Sequence, residues 1–84
     1  MELKDTVELM NSNDYKERFK AEYLQIKIRC DKLEKMLIKY EAGTLEFTPS
    51  CDISILDDQL YYMQNYLRML RIRAEIENID LGEI

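Results

Sequence analysis

Two stretches of this sequence repeat apolar residues at alternating spacings of three and four, and that period decides the fold class. In the first, Phe19, Tyr23, Ile26, Cys30, Leu33, Leu37 and Tyr40 form an unbroken heptad row, which a helix produces and no strand pattern reproduces. Four capping residues, Asn11-Ser12-Asn13-Asp14, precede it, and Asp14 with Glu17 fits a capping box. Gly43, a residue type that takes the left-handed cap conformation at least cost, ends it. Helix A is therefore expected over about 14–42, roughly 43 Å long at ~1.5 Å per residue.

The loop 43–51 contains the only proline, Pro49. Beyond it Ile53, Leu56, Leu60, Met63, Leu67, Leu70 and Ala74 continue the same alternation, giving helix B over about 52–80. Two helices of equal length joined by a short loop fold back antiparallel. Residues 13–84 thus read as a helical hairpin. The segment 1–12 is separate from it, with Leu3, Val7 and Met10 on one face of a short extra helix. The expected class is all-α.

Both helices carry more apolar residues than one seam uses. Leu24, Ile28 and Ile38 lie off the row in helix A, and Tyr62, Tyr66, Met69, Ile72, Ile76 and Ile79 make a second row in helix B. Left in water, such rows form the kind of contiguous patch that marks an interaction surface. Assembly into a homo-oligomeric helical bundle is the expectation that follows.

Composition narrows function mainly by subtraction. There are no histidines among the 84 residues, which removes the imidazole base of hydrolytic triads and the commonest metal ligand. Two glycines cannot build a phosphate-cradling loop. No enzyme activity and no cofactor are expected. A formal charge of −5 speaks against coating DNA or RNA, and no apolar run is long enough to span a membrane. Cys30 and Cys51 lack metal spacing, and the hairpin holds them too far apart for a disulfide, so the expected compartment is the cytoplasm.

Against this acidic background the cations cluster. If Tyr40 faces the region of Ile53, then Arg68, Arg71 and Arg73 lie beside positions 20 to 25 of helix A. Arg18, Lys20, Tyr23 and Lys27 are there, with Tyr15 and Phe19 one turn lower. Guanidinium groups match phosphate oxygens and aromatic rings stack on nucleobases. Tyr15, Arg18, Tyr23, Lys27, Arg68, Arg71 and Arg73 are therefore the candidate ligand-binding residues. Ion pairing with Glu17, Glu22 and Glu75 on a solvated face is the plainer account of the same cations. A second candidate anion site is the start of helix B, with Thr48 and Ser50, although Asp52, Asp57 and Asp58 crowd it.

The run Asp14-Tyr15-Lys16-Glu17-Arg18-Phe19-Lys20-Ala21-Glu22-Tyr23, the loop from Gly43 to Cys51, and Gln59 through Arg73 resemble small helical-hairpin proteins of phages and prophages. These are proteins related to a crAss-like phage hairpin protein. Their architecture is similar to that of the anti-CBASS and anti-Thoeris sponges, which bind cyclic oligonucleotides or cyclic ADP-ribose isomers without cleaving them. The resemblance implies a protein of the host cytoplasm during infection. It would be a homo-oligomer that holds a small phosphorylated cyclic nucleotide. The alternative is a non-catalytic hairpin that binds a host or phage protein.

Overall fold

In the computed structural model, which describes residues 1–82, the chain begins with a 3-10 turn at Leu3–Thr6 that runs into a one-turn helix α1, Val7–Met10. Two long helices follow, α2 at Tyr15–Ala42 and α3 at Ile53–Glu77, and no strand occurs among the described residues. Twenty-eight residues of α2 span ~42 Å at 1.5 Å each, which sets the longest dimension of the molecule at 43 Å.

The caps explain the helix ends. The Asp14 side chain accepts from the Lys16 backbone N–H at 3.0 Å. The acceptor for the Asp14 N–H itself is the Ser12 hydroxyl, at 3.0 Å, in the place that the expected box assigned to Glu17. At the other end Gly43 adopts φ 75°, and the N–H groups of Gly43 and Thr44 return to the carbonyls of Tyr40 and Lys39. Helix α3 stops three residues before the expected 80. Asn78 takes the left-handed conformation at φ 59°, and Ile79 N–H bonds to Ala74 O at 2.8 Å. Asparagine is one of the few non-glycine residues that tolerate this geometry, so it terminates a helix whose apolar spacing alone would let it run on.

That turn relocates Ile79. It belongs to no exposed row: it is buried beside Ala74 in the core, as the apolar residue two positions past this kind of cap commonly is. The core comprises Phe19, Tyr23 and Cys30 from α2, Leu67, Leu70 and Ala74 from α3, and Ile79, with Leu24, Ile26, Leu60, Met63 and Leu81 packed around them. Both heptad rows therefore face each other, and the tightest packing lies toward the open end. Tyr40, last in its row, is half exposed and borders hollows formed by Phe47, Thr48 and Pro49 of the loop.

The N-terminal segment is anchored differently from expectation. Of the expected face, Leu3 is half-buried and Val7 and Met10 are about half exposed, whereas Thr6 is fully buried. Its hydroxyl donates to Leu3 O at 2.7 Å and accepts from Gln25 Nε2 at 2.9 Å. Ala21, one turn before Gln25, is buried as well, so the segment packs on the side of α2 facing away from α3. A one-turn helix cannot persist alone, and this polar pin supplies the missing tertiary contact.

Candidate functional site

The open end of the hairpin brings the first residue of α2 against the last of α3. Tyr15 donates from its hydroxyl to Glu77 Oε1 at 2.7 Å, and Arg73 donates from Nη2 to the Tyr15 oxygen at 2.8 Å. Arg73 also donates from Nε to Glu77 Oε2 at 3.2 Å and lies 4.9 Å from the centroid of the Phe19 ring. Tyr15 meets the same ring edge-on. The result is a latch in which one guanidinium is shared by a carboxylate, a phenol and an aromatic face. Two turns farther along, the Tyr66 hydroxyl donates to Glu22.

The titration of these groups follows from the bonds. The Tyr15 hydroxyl holds the Glu77 carboxyl below its usual range, with Arg73 adding to the effect. The same bond to the Glu77 carboxylate pushes the Tyr15 phenol up, and the Glu22 carboxylate does likewise to Tyr66. A raised phenol stabilises the fold below the ordinary tyrosine range and loses that contribution as pH rises through its raised value. A lowered carboxyl contributes above the ordinary carboxylate range and loses it as pH falls through its lowered value. The stability difference between wild type and Tyr15→Phe is therefore expected to be flat through neutral pH and to shrink at both extremes, as read by urea unfolding across pH. A difference that keeps its neutral value at both ends would refute the latch.

The opposite flank is arranged differently. Arg71 lies 5.6 Å from the centroid of Tyr23, whose side chain is fully buried beneath it. Lys27, one turn on from Tyr23, pairs with Asp31 at 3.3 Å. Arg68 stands one turn from Arg71, exposed, with no hydrogen bond or ion pair among the described residues.

The contacts Tyr15–Glu77, Phe19–Arg73 and Tyr23–Arg71 reproduce the registry expected from the loop. They do not gather the seven candidate residues at one point. Residues two apart on a helix differ by about 200°, so Arg71 and Arg73 face opposite flanks of the seam. Tyr15 and Arg73 share the latch. Tyr23, Lys27, Arg68 and Arg71 share the other flank, and Arg18 turns back to the Ser12 carbonyl at 2.8 Å. The ring of Tyr23, buried and covered by Arg71, is not offered for stacking. Sequence reasoning missed Glu77 and the Glu22–Tyr66 bond. Glu77 was legible as the residue four after Arg73 and opposite Tyr15 in the same registry.

At the start of α3, Asp52 accepts from both the hydroxyl and the backbone N–H of Ser54, at 2.7 and 2.9 Å. The Ser54 hydroxyl, aided by the backbone bond, holds its carboxyl below the usual range. A hollow of about 360 Å³ between Tyr40, Thr48, Pro49 and Ile53 has this carboxylate in its wall, which disfavours an anion there. Among the described residues, no three His, Cys, Asp or Glu side chains converge as a metal site requires, and no helix is long and apolar enough to cross a membrane. Burial pushes the Cys30 thiol up, away from the reactive thiolate.

A long antiparallel pair with a charged, aromatic open end defines a small helical-hairpin protein. The family model of Sequestin matches residues 13–76, from the capping segment before α2 to the last turn of α3, and the chain belongs to that family. Its name suggests the sequestering of a molecule. No curated protein and no solved structure matches the chain.

Proposed function

We propose that this protein is a phage anti-defence sponge: it binds a cyclic nucleotide immune messenger in the host cytoplasm and withholds it from its effector without cleaving it. A cyclic oligonucleotide or a cyclic ADP-ribose isomer is the ligand class. Membership of the Sequestin family supports holding rather than turnover. The observation that carries the ligand chemistry is the flank on which Arg68 and Arg71 stand one turn apart beside Lys27, in a chain of net charge −5. Two guanidinium groups at that spacing can each direct a pair of N–H donors at phosphate oxygens, and Lys27 adds a point charge. Tyr15, Arg18 and Arg73 on the opposite flank would complete a pocket only through a second chain, so the site is placed between copies in a homo-oligomer. The ligand leaves intact in this reading, in keeping with a chain that has no histidine to serve as acid or base.

The alternative, a hairpin binding a host or phage protein, draws on the exposed apolar row of α3. Isothermal titration calorimetry with cyclic di- and trinucleotides and cyclic ADP-ribose isomers separates the two. Saturable heat with one of them is expected, and Arg68→Ala or Arg71→Ala should each cost about 1.5–3 kcal/mol per lost phosphate contact. No heat with any of these ligands, or unchanged affinity in both variants, favours the protein-binding hairpin.

A further inference from the structure

On the side of α3 turned away from the core, four residues recur at intervals of seven: Ile55, Tyr62, Met69 and Ile76. They are exposed by 56, 72, 58 and 78% respectively, with Tyr66 and Ile72 beside them at 41% each. The N-terminal segment packs on α2, and Ile79 and Leu81 fold into the hairpin core, so none of these covers the row. Since a large side chain such as tyrosine offers ~150–250 Å², these fractions amount to several hundred Å² of exposed surface. The largest apolar patch of an ordinary monomer is ~300–600 Å², and a standard stable interface buries about 800 Å² per partner.

We propose that this row is the two-fold interface with a second copy of the chain, in which two α3 helices lie antiparallel about an axis between Asn65 and Tyr66. The row is self-complementary in that direction. Ile55 meets Ile76 of the second copy and Tyr62 meets its Met69, so apolar groups face each other at every level. A groove of about 460 Å³ lined by Ile55, Asp58, Gln59, Tyr62, Met63 and Tyr66 receives Met69 and Ile72 of the second copy. Charge selects the direction. The first half of α3 carries Asp57 and Asp58 and the second half Arg68, Arg71 and Arg73, so an antiparallel pair sets the acidic half of each copy beside the arginine-bearing half of the other. A parallel pair would instead set acidic half against acidic half and arginines against arginines, which like-charge repulsion opposes.

This dimer specifies the assembly on which the binding reading rests. Its test uses no nucleotide, so the two can fail separately. Light scattering on the full chain at micromolar concentration should give at least twice the monomer mass of 10.1 kDa. Tyr62→Glu with Met69→Glu should bring it to the monomer with helicity retained, because both side chains are exposed in the single chain. Ile38→Glu, equally exposed on α2 but off the row, should leave the mass unchanged. Direction is read by cross-linking in a Cys51→Ser background. A mixture of Ile55→Cys and Ile76→Cys chains should link on mild oxidation at least several-fold more than either alone, and this holds even if the glutamate variant loses helicity. A monomeric wild type, an oligomer that survives the double glutamate change, or Ile55→Cys linking mainly to itself would overturn the proposal.

Discussion

Leu70→Ala is expected to lower the free energy of unfolding by about 2–5 kcal/mol, the range for truncating a buried leucine in a core that relaxes only partly. Leu70 is 2% exposed and belongs to the core that α2, α3 and the turn after α3 share. Few residues share the load in a hairpin of this size, and domains generally hold only ~5–15 kcal/mol in total. Each kcal/mol should move the melting temperature by about 4–8 °C. Ile38→Ala removes a similar volume from a position 59% exposed and should stay within about 0.5 kcal/mol. Urea unfolding of both variants at one fixed protein concentration checks the contrast, since an oligomer's stability depends on concentration. Equal losses would mean that the seam is not where the core lies.

The periodic part of this architecture was legible because a heptad row records which residues face inward, and here both rows do. Phe19, Tyr23, Cys30, Leu67, Leu70 and Ala74 all occupy the buried positions that their spacing assigns. Where the sequence misled, a local backbone choice had displaced the period. Ile79 continues the exposed row in spacing, yet the left-handed Asn78 ends the helix and swings it into the core. The anchor of the first twelve residues escaped because it is polar. Thr6 is fully buried with two hydrogen bonds, whereas apolar pattern reading points to Leu3, Val7 and Met10, of which only Leu3 is half-buried. The cation cluster was legible as to height along the hairpin but not as to flank. Registry fixes height, whereas flank depends on the 100° step per residue, and that step parts Arg71 from Arg73.

The second large effect is expected at Phe19. Its ring is 3% exposed, yet it carries the Arg73 guanidinium on one face and Tyr15 at its edge, so it joins the core to the latch. Phe19→Ala should cost about 3–5 kcal/mol, the usual loss for truncating a buried phenylalanine. Phe19→Leu should recover much of the packing but neither aromatic contact, since only a π face attracts the guanidinium. The two variants therefore separate the volume of the ring from its electrostatics. In Phe19→Leu the Glu77 carboxyl should titrate closer to its ordinary range, because Arg73 and Tyr15, which hold it down, lose the surface that positions them. NMR titration of the Glu77 side chain reads that shift without depending on the unfolding measurement. If Phe19→Leu leaves Glu77 titrating as in wild type, the ring fills space and the latch stands on its hydrogen bonds alone. If the carboxyl moves, a buried core residue sets the charge geometry of the open end, and substitutions that merely preserve core volume will alter that geometry.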